Sequence, residues 1–180
     1  KASRLMIIGN NEKDDKYLLN ELKTCAKERA ENVMIVDLMR NDLGKVCIPG
    51  SIIVPRLFTI ETHPTVFQMV STVEGKLNPG EDPISILKAC FPGGSVTGAP
   101  KVRAMEIIDE LETRSRGPYA GALGYFSKNG NADFAITIRT LIADGERASV
   151  HAGAGIVADS IPEREWDETE QKVGAILSSL

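Results

Sequence analysis

Histidine and cysteine are scarce in this chain, and neither forms a pattern. His63 and His151 stand far apart, which argues against a histidine-built metal centre. The three cysteines, Cys25, Cys47 and Cys90, are odd in number and widely spaced. They match no metal-binding or redox motif and read as free thiols in a reducing cytoplasm. Long apolar runs are missing too: no stretch approaches the roughly 20 residues of a membrane span. The opening KASRLMIIGNN has too short an apolar run for a secretory signal. A basic excess is also missing. The 21 Lys and Arg against 25 Asp and Glu leave a net charge of −4, which gives no footing for nucleic acid, whose phosphates demand a basic patch. There are no repeats, low-complexity segments or obvious linkers.

What is present is an ordinary soluble composition, 42% hydrophobic and 26% charged over 180 residues, about one domain of chain. Residues 12–43 read as helix, with Tyr17, Leu18, Leu22, Cys25 and Ala26 at three-to-four spacing and Gly44 as a stop. Within that run, VMIV (33–36) reads equally well as a strand. A Pro49-Gly50 turn precedes the β-prone SIIVPRLF, and MVSTVEGKL (69–77) alternates like a strand. Asp82 is a candidate N-cap for a short helix over 84–90. Residues 99–111 form the clearest helix, with Pro100 near its first position and Val102, Met105, Ile108 and Leu111 as its apolar stripe. Residues 119–127 and 133–143 read as strands joined by KNGN, 148–157 as a further strand, and 160–180 as a closing helix. Short connections between strands point to antiparallel pairing in a mixed α+β fold.

Two Glu-x-x-Glu pairs stand near opposite ends of the chain, Glu28/Glu31 and Glu165/Glu168, both in helical text. A spacing of three places each pair on one helix face. Either pair alone reads as a solvated surface. Four gathered carboxylates would make a hard-oxygen site suited to Mg²⁺. Between them lie two glycine motifs, FPGGSVTGAPK (91–101) and HAGAGIV (151–157). The first is not a P-loop, because Gly98 is followed by Ala99-Pro100-Lys101 rather than Gly-Lys-Ser/Thr. Its glycines still allow close backbone approach, and the following helix N-terminus favours an anion, carboxylate or phosphate.

The stretches KERAENVMIVDLMRNDLG, FPGGSVTGAPKVRAMEIIDELE, GPYAGALGYFS, ITIRTLIADG and HAGAGIVADSIPEREWDET together resemble the chorismate-utilising enzymes. These include anthranilate synthase large subunits, aminodeoxychorismate synthase component I, isochorismate synthases and salicylate synthases. The resemblance runs in order from Lys27 to Lys172. FPGGSVTGAPK is most similar to aminodeoxychorismate synthase component I; anthranilate synthases more often carry Thr where Ser95 stands. The fold so implied is α+β, with layered antiparallel sheets and outer helices, residues 1–180 being the C-terminal part of a single chorismate-binding domain whose upstream part is absent.

The resemblance also assigns roles. Glu31 and Glu168 fall where the family binds Mg²⁺, with Glu28 and Glu165 as companions. The ion would orient the ring carboxylate of chorismate. Tyr119 and Arg139 fall where the enolpyruvyl carboxylate is gripped, a task suited to a planar guanidinium. Gly153 and Gly155 supply backbone contacts there, Ser95 a hydroxyl, and Lys172 a lysine near the metal-bound carboxylate. Read without the family, Arg139 is an exposed strand residue, Tyr119 a core side chain, Gly153 and Gly155 a bulge, and Lys172 the i,i+4 partner of Glu168.

The family's Ser-Pro-Glu motif, whose Glu serves as general acid, does not occur in this sequence. The Pro-Ile-Lys-Gly-Thr motif of the aminodeoxychorismate enzymes, whose Lys attacks ring C2, has at most an echo in Lys1-Ala2-Ser3. Lys1 is either that nucleophile or a terminal lysine without a role. Gln68 stands where many relatives have histidine; it can donate a hydrogen bond but cannot carry the proton. The chemistry implied is lysine addition at C2 as the C4 hydroxyl departs, then ammonia addition at C4 with expulsion of the lysine. The product, 4-amino-4-deoxychorismate, leads to para-aminobenzoate and folate. A glutamine amidotransferase would supply the ammonia. Alternatives are an anthranilate synthase large-subunit fragment and a non-catalytic chorismate-binding or subunit-docking module. The chain alone is expected to be inactive or feeble.

Overall fold

The computed structural model describes residues 2–7, 11–64, 66–158 and 160–178; Lys1 lies outside them. The chain divides into two compact units, Lys1–Cys90 with Gly98–Lys101, and Phe91–Thr97 with Val102–Leu180.

The first unit joins a three-stranded sheet to helices. Strand β1 (Ala2–Ile7) is followed by α1 (Glu12–Thr24), α2 (Ala26–Gly44), β2 (Ile53–Thr62), β3 (Val66–Glu74) and α3 (Pro83–Cys90). Asn11 caps α1, its Oδ1 accepting from the backbone N–H of Lys13 and of Asp14, both at 3.0 Å. The continuous helix expected over 12–43 is broken at Cys25, which takes an extended backbone (φ −61, ψ 112). VMIV lies within α2, where Ile35 and Val36 are buried; helix wins over strand because those positions continue the buried face begun by Glu28 and Asn32.

The sheet is antiparallel throughout, in the order β1-β3-β2. Phe67 and Met69 alternate on one face of β3 and pack with Leu22, Leu19, Phe58 and Ile60. Fully burying one such side chain contributes about 1.5–3 kcal/mol. Gln68 falls on the opposite face by alternation, opposite Leu5 of β1 and Glu61 of β2.

A bulge in β2 between Arg56 and Thr59 puts Phe58 in the left-handed region (φ 55). Its N–H donates to Ser71 Oγ (3.0 Å), and that hydroxyl donates to buried Asn32 Oδ1 (2.6 Å). Arg29 of α2 lies 4.3 Å over the Phe58 ring. These contacts fix the N-terminal half of α2, which carries Glu28 and Glu31, against the sheet.

At the other end of α2, Asp42 is only 1% exposed. It accepts from Lys45 Nζ (2.8 Å) and Lys101 Nζ (2.5 Å), and Lys101 also donates to the Cys90 carbonyl (3.3 Å). One buried carboxylate thus holds the GAPK segment and the end of α3 onto α2. Asp42→Ala leaves the partly buried Lys101 ammonium, 13% exposed, without its carboxylate and with only the Cys90 carbonyl as acceptor. It is expected to cost about 3 kcal/mol of stability, readable as a lower urea midpoint at unchanged slope. The predicted cap of α3 is observed: Ser85 N–H donates to Asp82 Oδ1 at 2.8 Å, and the Ser85 hydrogen bonds hold the Asp82 carboxyl below its ordinary value.

The second unit contains a short 3-10 turn (Gly94–Val96) and α4 (Lys101–Leu111, from Val102). Two hairpins follow, β4 (Ala122–Phe126) with β5 (Ala132–Ile136) and β6 (Leu141–Asp144) with β7 (Arg147–Val150), then α5 (Pro162–Leu177). The antiparallel pairing and the α+β class are as expected. Three details differ. The strand expected over 133–143 is two strands, parted at 137–140, where Arg139 has φ 53. The strand expected over 148–157 ends at Val150, and 151–157 has no regular structure. The stripe of α4 is only partly covered by the chain, Val102 and Leu111 being 71% and 74% exposed. In β4, a Cβ on Gly124 would collide with the Asp133 carbonyl oxygen, so the hairpin needs glycine there.

Candidate active site

Four of the residues singled out from sequence form one connected set in the second unit. Lys172 of α5 pairs with Glu168 one turn before it (2.6 Å) and donates to the Gly153 carbonyl (2.9 Å). Gly153 in turn lies against Tyr119: a Cβ there would stand 3.1 Å from the Tyr119 hydroxyl. The reading of Lys172 as an i,i+4 partner of Glu168 is therefore correct but incomplete, because the same ammonium also fixes the glycine segment. As an isolated helix pair it would contribute only about 0.3–0.5 kcal/mol. Its reach across 19 residues to Gly153 is what organises the site.

Tyr119 is half-buried and stacks on His151, ring centroids 5.6 Å apart and planes 20° apart. Burial pushes its phenol above the usual tyrosine value, with Arg116 opposing and Glu112 reinforcing the shift. At neutral pH the hydroxyl, like that of any tyrosine, is a hydrogen-bond donor, the form that suits a carboxylate. A small pocket beside it is lined by Pro118, Tyr119, Thr137, Thr140, Ile142 and His151. Ala120 N–H donates to the Thr137 carbonyl, Thr137 N–H to that of Gly121, and Thr137 Oγ1 to that of Pro118. These bonds bring residues 118–121 against the 137–140 link. Arg139 is exposed within that link, adjacent to the pocket residue Thr140.

The remaining positions are placed as follows. Glu165, one turn before Glu168 on α5, is 7% exposed. Gly155 belongs to the same irregular 151–157 segment as Gly153. Ser95 is exposed on the 3-10 turn. In the first unit, Glu28 is 5% exposed on α2, with Glu31 half-buried beside it on the same face, and Gln68 is half-buried on β3. Within either unit, no group of three or more His, Cys, Asp or Glu among the described residues is assembled as metal ligands. Lys1 lies outside the described residues.

Sequence reasoning missed His151 and Arg116. His151 opens the HAGAGIV motif and precedes Gly153 by two residues. Arg116 opens RGPY, four residues after Glu112, a spacing at which a helical pair was legible. The fork is formed, with Arg116 Nε and Nη2 donating to Glu112 at 2.7–3.2 Å. It holds the Glu112 carboxyl below its ordinary value and the guanidinium above its own. Among the described residues no helix is long and apolar enough to cross a membrane.

The family described as chorismate binding enzyme matches residues 6–178. Anthranilate synthase component 1 of Aquifex aeolicus is 51% identical over 96% of this chain and 35% of its own length. The chloroplastic aminodeoxychorismate synthase of Arabidopsis thaliana is 50% identical over 96% of this chain and 19% of its own. The crystal structure of anthranilate synthase component I from Streptococcus pneumoniae TIGR4 matches with a TM-score of 0.83 and 41% identity. It covers 95% of this chain and 43% of that one. The chain thus spans less than half the length of each of these. With the family match running almost end to end, over residues 6–178, the chain belongs to the chorismate-binding enzyme family.

Proposed function

We propose that this chain is the C-terminal part of the catalytic domain of a cytoplasmic, Mg²⁺-dependent synthase that aminates chorismate to 4-amino-4-deoxychorismate. The observation that carries a chorismate site is the contact series Tyr119–Gly153–Lys172–Glu168. It joins a protonated phenol, a close-approach glycine, an ammonium and a carboxylate. Arg139, Tyr119 and the backbone at Gly153 and Gly155 take the enolpyruvyl carboxylate, Ser95 contributes its hydroxyl, and Lys172 stands beside the ring carboxylate. Gln68 donates a hydrogen bond near C4 without carrying a proton.

Glu31 and Glu168 are proposed as the Mg²⁺ ligands, with Glu28 and Glu165 as companions. The residue types suit such an ion, all four being carboxylates, the oxygen donors a hard cation takes. When bound, the ion would supply Lewis-acid assistance and orientation for the ring carboxylate. Ammonia would come from a glutamine amidotransferase subunit or domain, and a lysine at or equivalent to Lys1 would be the nucleophile at C2.

Anthranilate formation is the second reading, supported equally by the 51% identity to the Aquifex aeolicus protein. The two separate on product. The chain joined to the upstream part of its protein, given chorismate, Mg²⁺ and ammonium, should yield an aminated product retaining the enolpyruvyl group, detected by mass. Free anthranilate, which has lost that group, would establish the second reading. Binding without any product would mean a non-catalytic chorismate module.

A further inference from the structure

Arg116 joins, through one side chain, two segments that sequence places 20 residues apart. Its Nη1 donates to the Val96 carbonyl at 2.6 Å. Val96 follows Ser95 on the 3-10 turn of the FPGGSVTGAPK motif. Its guanidinium carbon lies 5.7 Å from the Tyr119 ring centroid, within the range of a cation–π contact. Its own carbonyl accepts from the Tyr119 N–H at 3.1 Å, closing the Arg116–Tyr119 turn in which Gly117 has φ 56. The bidentate Glu112 pairing leaves the guanidinium one orientation, with Nη1 aimed at the turn. All of these residues belong to the second unit, and only 25% of the Arg116 side chain is exposed.

We propose that Arg116 is a positioning residue that sets Ser95 and Tyr119 in register with each other for chorismate. This rests on the reading of Ser95 and Tyr119 as substrate contacts. Arg116 itself need not touch the substrate. Its planar fork does three things at once: it pairs with Glu112, holds the Val96 carbonyl and faces the Tyr119 ring. A lysine has a single ammonium and cannot satisfy all three.

The test compares the parent chain with Arg116→Lys and Arg116→Gln, all shown folded by an unchanged far-ultraviolet spectrum. Two readouts are taken: backbone amide shifts at Val96, Thr97 and Tyr119, and the Tyr119 phenol titration, assigned with Tyr119→Phe. Chorismate affinity with Mg²⁺ is measured alongside. Both variants are expected to move the Val96–Thr97 and Tyr119 signals together, and Arg116→Gln, which removes the positive charge, to raise the Tyr119 titration further. Both should weaken chorismate binding by roughly tenfold to a hundredfold, as small misplacements do. Lysine should restore thermal stability without restoring affinity. Movement at only one of the two segments, an unmoved Tyr119 titration in Arg116→Gln, or full rescue of affinity by lysine would overturn the proposal. A parent chain that does not bind chorismate would count against the reading of the site, while the shifts and the titration still decide for or against the clamp.

Discussion

Glu168→Ala is expected to abolish Mg²⁺-dependent chorismate binding. Changes to groups that merely support a metal ligand already cost roughly 10–100-fold in metal affinity, so loss of a ligand should cost at least the upper end of that range. The prediction has content because Glu168 has a plain competing description. It is 39% exposed and sits in an i,i+4 pair with Lys172. If that pair were its whole role, alanine would cost a few tenths of a kcal/mol of stability and leave binding untouched. Lys172→Met separates the two contributions. It removes the ammonium that holds Gly153 but keeps the carboxylate, so Mg²⁺ binding should survive while chorismate binding weakens. Calorimetric titration of each variant, with Mg²⁺ and with EDTA, reads all of these outcomes.

The second large effect is expected at Arg139. A non-glycine residue at φ 53 is unusual and costs on the order of 1–3 kcal/mol, which neighbouring bonds must offset. They are present: Thr137 is bonded through both backbone groups to Ala120 and Gly121, and Thr140 Oγ1 donates to the Ile138 carbonyl at 2.9 Å. Arg139→Gly relieves the backbone and removes the guanidinium, so stability and binding should move in opposite directions. The thermal midpoint should hold or rise, while chorismate affinity falls by roughly two orders of magnitude, the scale for losing one partner of a charge-assisted pair. Arg139→Lys keeps the charge and loses the planar fork, and should recover only part of the affinity. If Arg139→Gly lost stability and kept affinity, Arg139 would be a structural residue.

Local chemistry carried much of the fold. The capping of α3 by Asp82, the short β-turn connections and the closing helix were all readable, because each rests on residues close together in sequence. The breaks were not. Cys25 interrupts a helical period that shows no proline or glycine there. The strand expected over 133–143 parts at Arg139 because a left-handed arginine leaves no trace in β-propensity. VMIV became decidable only once the folded chain showed Ile35 and Val36 on the buried face of α2.

The site divides in the same way. The glutamate pairs and glycine motifs were visible because their spacing is regular. Arg116 was not, since its meaning lies in contacts with Val96 and Tyr119, and only the folded chain brings those segments to one guanidinium. The bond from Lys172 to Gly153 was hidden for the same reason, behind a helix pair that sufficed as an explanation. Asp42 belongs here too: in the text NDLG it is one more acidic residue, and its importance comes from burial between Lys45 and Lys101.

The most direct measurement is calorimetric titration of chorismate into the 180-residue chain, once with Mg²⁺ and once with EDTA. A saturable heat that appears with Mg²⁺ and vanishes with EDTA is the predicted result, and would locate a metal-dependent chorismate site within these residues. Equal binding in both conditions would contradict the metal assignment, and absence of binding in both would contradict the claim that this chain holds the chorismate site.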